Sequence, residues 1–365
     1  MKRAGTWLFL IVAIIGGYLL FYPVEIDPVK WQAPPAPPLE QDYALNSRLS
    51  TVERLAVGAG VGPEDVAISE NGDVYTGYLD GRVVRVDGVS GEVTTLAETG
   101  GRPLGIALLP DGALAVADAY RGLLRISMDG RLEVLAAQAN GLAFRFADDL
   151  DVARDGTIYF SDASWKYGME HMLADFLEHD GTGRLLRYTP DGAVDELLQG
   201  LYFANGVALG PDEQYVLINE TGAYRVSRLW LKGPKAGERD IFIDNLPGFP
   251  DNISYDEQSG VFWLALYGPR DAALDATADK PYLRKMIYRL PESLHPQPAH
   301  LGFVLGLDTE GRIVANLQDH DDSAYGPVTS AERAGDYLYL GSLKAASLAR
   351  LPIDAALSAD ASTTR

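Results

Sequence analysis

Six segments of this chain place one residue just ahead of an alternating apolar run. They are Glu64 in GPEDVAI, Leu104 in RPLGIAL, Asp148 in FADDLDV, Asn205 in FANGVAL, Asp251 in FPDNISY and Pro327 in YGPVTS. Each is followed by a second residue at the equivalent place: Asp65, Gly105, Asp149, Gly206, Asn252 and Val328. Four of the six leading positions carry an oxygen donor. A single Asp or Asn before a strand is most simply a turn-capping residue; four at equivalent positions point to one shared site. Carboxylates and an amide, without His or Cys, suit a hard divalent cation, calcium before zinc. Crowded carboxylates repel one another unless a cation lies between them. The chain has no Cys, which excludes disulfides, thiolate metal sites and Cys nucleophiles.

For these residues to meet, the segments that carry them must repeat in space. Each unit opens on its anchor residue, runs into alternating apolar residues, turns at a D-G or N-G type dipeptide and returns as a second alternating strand. Third strands often read LLRI or LLRY, and VTTLA (Val93 to Ala97) and LEVLA (Leu132 to Ala136) read as fourth strands. In the fifth unit KMIYRLP, from Lys285, stands where a third strand is expected. Radial repetition of antiparallel sheets around an axis gives an all-β, six-bladed β-propeller, with the leading positions ringing the central channel. The last unit runs out after Leu351, so VERLAV (Val52 to Val57) is expected to supply its outer strand and close the ring. Two stretches break the rhythm, residues 164–180 and 270–285; the first spaces Met172, Leu173, Phe176 and Leu177 as a helix does. They read equally as decoration or as lids over one face.

The ends of the chain say where this body works. Lys2 and Arg3 precede 19 uncharged residues, Ala4 to Tyr22. As a helix these span roughly 29 Å, one hydrocarbon thickness. The run is long for a signal peptide and lacks a clear cleavage site before Pro23, so an uncleaved anchor is the better reading, with the basic N-terminus in the cytoplasm and the body outside it. Six prolines in residues 23–39 predict a stiff extended stalk that lifts the body off the membrane. The expected division is 1–22 tail and transmembrane helix, 23–45 stalk, 46–355 propeller and 356–365 C-terminal tail. A formal charge of −20 makes nucleic acid an improbable partner.

GPEDVA, GRPLGI, YFSDAS, TGRLLRY, FANGVAL and LPGFPDNI resemble the strictosidine synthase-like family, within the superfamily of gluconolactonases and paraoxonases. The resemblance covers nearly all of the chain after residue 45. It implies a calcium ion held by Glu64, Asp148, Asn205 and Asp251, with Asp149 and Asn252 as neighbours and Asp65 a further candidate, and hydrolysis of lactones or aryl esters. Asp251 is then the first candidate for base or nucleophile and Asp149 the second. Asp148 stands where paraoxonases have Asn, and the extra carboxylate implies tighter metal binding. The His dyad of paraoxonases falls on Leu104 and within Ala117 to Tyr120, so it is missing. The catalytic Glu of strictosidine synthase falls in Tyr325 to Val328, which has no acid, and a synthase activity is not expected. His171 and His179 read as a solvated helix face or as lid residues that shuttle protons. His320, in QDHDD, is a candidate neighbour of the metal ligands. The implied function is a calcium-dependent esterase or lactonase; the alternative is a non-catalytic propeller with calcium as a structural plug.

Overall fold

The computed structural model describes residues 2–295 and 300–358, with the side chains of residues 2–5 and 8 excepted. Part of the expected C-terminal tail, 359–365, lies outside the described residues. Six four-stranded antiparallel sheets take up the body. Blades 1 to 5 each use four consecutive strands, beginning at Val66–Ile68, Pro103–Leu108, Ala147–Val152, Ala204–Leu209 and Gly248–Asp256. Blade 6 takes three strands from the end of the chain and its fourth, Glu53–Leu55, from the beginning. Glu53 pairs with Arg350 and Leu55 with Leu348, so the segment expected to close the ring does so. The innermost strands of neighbouring blades touch all the way round, blade 6 against blade 1 included.

Second strands such as Leu114–Asp118 and Ile158–Asp162 are buried at every position. They are covered on both faces by the adjoining blades, which is why LAVAD and IYFS read as continuous apolar runs. Their terminal acids are structural: one oxygen of Asp118 accepts from the amides of Arg102, Tyr120 and Arg121, and one of Asp162 from Arg145 and Phe146. The acid in YFSDAS is thus a turn cap that seats the strand carrying the site residues.

Five helices accompany the sheets among the described residues: α1 (Lys2–Phe21), α2 (Met172–Glu178), α3 (Ala272–Ala276), α4 (Pro281–Tyr288) and α5 (Ile353–Leu357). On the described side chains, which leave out residues 2–5 and 8 of α1, no helix is long and apolar enough to cross a membrane. KMIYRLP is not the third strand of blade 5. It belongs to α4, and the third strand is Gly302–Leu307. Pro281 sits at a helix start, where its missing N–H costs nothing. Ile287 and Tyr288 then pack on a cluster of Ile26, Tyr167, Ala174, Leu177 and Leu274.

The proline-rich segment is extended, apart from one turn at Gln41–Tyr43, but it does not stand free. Ile26 is fully buried, Val29 donates to the carbonyl of Glu178 at 2.8 Å, and Trp31 stacks on His179 with ring centres 4.1 Å apart. Arg270 donates to the carbonyl of Pro34 at 2.7 Å. The expected stalk is a strap laid across the body, because its apolar side chains find partners there.

Candidate active site in the central funnel

Four leading positions, Glu64, Asp148, Asn205 and Asp251, come together with Asn252, and the backbone explains why two successive residues at each position matter. In blades 2 to 5 the first strand slips register against the second at the same place, between Pro103 and Ile106, Ala147 and Leu150, Ala204 and Val207, and Pro250 and Ile253. A bulge of this kind turns neighbouring side chains out of strict alternation. The second residues of blades 1 and 3, Asp65 and Asp149, meet the next blade, while that of blade 5, Asn252, reaches Glu64.

Glu64, Asp148, Asn205, Asp251 and Asn252 are all buried, none more than 5 % exposed. Asn205 donates its amide to Asp251 Oδ1 at 3.0 Å, and Asn252 donates to Glu64 Oε1 at 2.9 Å. Each contact spends the NH₂ end of an amide and leaves its oxygen turned elsewhere. Asn205 Oδ1, Asn252 Oδ1 and Glu64 Oε2 are buried without a hydrogen-bond partner. Three unpartnered acceptors in one small region are costly unless something electropositive faces them. Burial, and then the Asp251 charge, push the carboxyls of Glu64 and Asp148 well above the usual carboxylate range. Asp251 is raised to about 8 by burial and by Asp65, against the pull of the Asn205 hydrogen bond. A divalent cation would reverse all these shifts. Among the described residues no three His, Cys, Asp or Glu gather closely enough to hold a metal by themselves. A cation here would need the amide oxygens of Asn205 and Asn252 as well, and an all-oxygen set of that kind is the chemistry calcium takes.

The second residues do different work. Asp65 Oδ2 accepts from the amide of Ile106 at 3.0 Å, and Asp149 Oδ2 accepts from Val207 at 2.8 Å. Both carboxylates clamp their own blade to the next one. Both line a channel cavity of about 250 Å³ with Asp151, Ser330 and Glu332. At the alternate blades the second residue is glycine for a steric reason. A Cβ on Gly105 would stand 2.6 Å from Asp149 Cα, and one on Gly206 2.7 Å from Asn252 Cα.

The insertions cover the mouth. Met169, Met172 and Phe176 pack with Leu104, Phe146, Phe203 and Leu343, and the Phe176 and Phe203 rings stack 4.7 Å apart. Phe146 and Phe203 each stand two residues before a ring donor, so the first insertion is a lid. His179 is neither a solvated residue nor a shuttle: it is buried between Trp31 and Tyr202, and desolvation pushes it down to about 3. His320 is exposed at the end of the outermost strand of blade 5, bonded to Gln318, and is not a neighbour of the ligands.

Two residues escaped the sequence reading. Arg102 is buried and donates to the carbonyl of Gly62 at 2.8 Å, its charge acting on Glu64 and Asp148. Tyr267 is raised to about 12 by burial and by the Asp251 charge. Neither belongs to the repeated positions, which were the only signal available.

Comparison with known proteins gives the family and the fold. A family model described as strictosidine synthase matches residues 148–234, and one described as strictosidine synthase-like, N-terminal, matches residues 42–86. Protein STRICTOSIDINE SYNTHASE-LIKE 6 of Arabidopsis thaliana is 38 % identical over 318 residues, 85 % of this chain and 84 % of that one. The chain belongs to the strictosidine synthase-like family. The adipocyte plasma membrane-associated protein of Homo sapiens is a second relative, 35 % identical over 373 residues, covering 95 % of this chain and 88 % of that one. Among solved structures, a gluconolactonase from Xanthomonas campestris has the same fold, with a TM-score of 0.60 at 20 % identity over 91 % of this chain and 99 % of that one. In the last blade Val328, at the second position, is buried in the core, and Glu332 four residues on lines the channel cavity.

Proposed function

We propose that this propeller is a calcium-dependent hydrolase of lactones or aryl esters, anchored to a membrane by α1 with its body outside the cytoplasm. The observation that carries the hydrolase is the group of buried, unpartnered oxygens on Glu64, Asn205 and Asn252 beside the carboxyls of Asp148 and Asp251. These residues would hold the ion, which when bound polarises an ester carbonyl. Asn205 fixes Asp251 Oδ1 and leaves Oδ2 to take a proton from water. The water oxygen adds to the carbonyl carbon, the ester C–O bond breaks, and the proton passes to the departing alkoxide, giving acid and alcohol. Asp149, held on the Val207 amide, is assigned to positioning. The relatives named as plasma membrane-associated and the uncharged run Ala4 to Tyr22 support the anchor.

The test is a panel of lactones and phenyl acetate with purified full-length protein, with calcium and with chelator. Hydrolysis that needs calcium is expected, and a variant Asn205→Ala should require more calcium for half-maximal rate. Hydrolysis indifferent to chelator removes the metal from the mechanism. No hydrolysis with calcium bound turns the site into a structural plug in a binding propeller.

A further inference from the structure

The two insertions lie on one end of the molecule for a topological reason. Inner strands begin at the ring and each blade runs back and forth, so every connection between second and third strands returns to the ring face. The lid with α2 and the segment with α3 and α4 are both such connections, in blades 3 and 5. Turns between third and fourth strands, such as the one holding Val89, lie at the opposite end.

On the ring face, α4 grips the end of α1. Arg289 donates to the carbonyl of Leu19 at 2.8 Å and of Tyr22 at 2.7 Å, and the Tyr282 hydroxyl donates to Leu20 at 3.0 Å. These are carbonyls that a helix end leaves without internal partners. The strap after α1 is tied to the same helix, Asp27 to Lys285 at 2.9 Å. Wherever α1 leaves a bilayer, α4 must therefore lie within the headgroup layer, which is about 5–7 Å deep on each side.

The surface of α4 is suited to that place. Tyr282 is 49 % exposed and Leu283 40 %, with Leu294 63 % exposed just beyond. The basic side chains of residues 280–289 are already engaged: Arg284 and Arg289 are buried on backbone carbonyls, Lys285 pairs with Asp27 and Lys280 with Asp279. The exposed Tyr282 and the two exposed leucines are what this face offers, and a Tyr at the water boundary with apolar side chains beside it is favourable at an interface. The same helix holds the lid, because buried Arg284 donates to the carbonyls of Phe176 and Leu177, each at 3.0 Å.

We propose that the ring face is a membrane-docking surface, formed by α4 and residues up to Leu294 against the bilayer that holds α1. This rests on the anchor proposed above. The funnel mouth then opens at the lipid surface under an apolar lid, and its substrates are apolar esters that partition into the bilayer.

The absence of Cys makes the test direct. Full-length Leu283→Cys and Leu294→Cys, with Val89→Cys as the opposite-face control, are labelled with an environment-sensitive fluorophore. Each is reconstituted into phosphatidylcholine–phosphatidylserine vesicles. The labels at 283 and 294 are expected to shift to the blue and to be quenched by nitroxide lipids several-fold more strongly than the label at 89. If all three labels report water while the protein resists alkaline carbonate, the anchor stands and the docking surface is overturned. If carbonate strips the protein from the vesicles, the anchor itself fails and the docking surface with it.

Discussion

Asp251 and Asp149 look alike in sequence, each an acid ahead of a strand, and the structure separates them. Asp251 shares the ring with three unpartnered oxygens, whereas Asp149 spends an oxygen on the Val207 amide in the channel below. Asp251→Asn should keep an oxygen ligand yet lose the base, lowering hydrolysis about a hundredfold or more at saturating calcium. Asp149→Asn retains an acceptor for Val207 and should hold most of the rate while lowering the melting temperature. Equal losses of rate in both variants would return Asp149 to the chemistry. Which side chain goes where was not legible, because a bulge decides it and residue type does not. His179 shows the same limit: its spacing read as a solvated face, but the strap buries it. Its pKa near 3 lies below the ordinary value of about 6.5, so the unfolded chain takes up a proton at a pH where the folded one does not. The stability tied to His179 is complete above pH 6.5 and is lost as pH falls toward 3. Asp175, raised to about 6 by burial, acts in the opposite direction, so the comparison must be between variants. His179→Asn, which tolerates the left-handed backbone at this position (φ 54°), should lose less melting temperature than wild type between pH 7 and pH 5. An identical acid dependence in both would rule out His179 as its source.

At the level of elements, repeat spacing made the inner and second strands readable, since each blade starts from the same anchor-and-alternation pattern. The insertions were readable only in part. Helical spacing found α2, but KMIYRLP resembles a strand until Pro281 and the packing of Ile287 are known. The bulges left no sequence mark except glycine at the second position in blades 2 and 4. That mark has a testable consequence. In Gly206→Ala the new Cβ would stand 2.5 Å from Asp251 O and 2.7 Å from Asn252 Cα, both in the backbone that shapes the ring. Overpacking of this kind costs about 1–3 kcal/mol. The variant should melt earlier and bind calcium more weakly, because relief requires blades 4 and 5 to part. Thermal melts at several calcium concentrations would show both effects, and unchanged affinity with a lowered melting temperature would mean that the ring tolerates the spread.

For the whole molecule the beginning of the chain does two separate jobs, and truncation can tell them apart. Residues 53–55 form the outer strand of blade 6, and Leu49 just before them is buried with Trp263 and Leu317 in the core that joins blades 5 and 6. Residues 23–45 form the strap, which covers the lid and the outer strand of blade 5 without joining a sheet. A chain beginning at residue 46 loses buried Ile26, worth about 1.5–3 kcal/mol, together with the Trp31 stack. It keeps the ring closed, so it should still melt in one cooperative transition, earlier than the full chain. A chain beginning at residue 57 also loses Leu49 and the closing strand, and leaves Leu348–Pro352 as an open edge. An unpaired edge recruits other chains, so this version should lose the sharp transition and associate in solution. Calorimetry and size-exclusion chromatography on the two truncations would show the difference. Closure by the N-terminal strand also bears on the site, because blade 6 lies between the Asp251 blade and the Glu64 blade. Thr329 links them, donating to Glu64 O at 2.6 Å while its own carbonyl accepts from Asn252 N at 2.9 Å. The chain from residue 57 should therefore lose calcium-dependent stabilisation even where blades 1 to 5 remain folded. If it melts like the chain from residue 46 and is stabilised equally by calcium, the ring does not depend on that strand for closure.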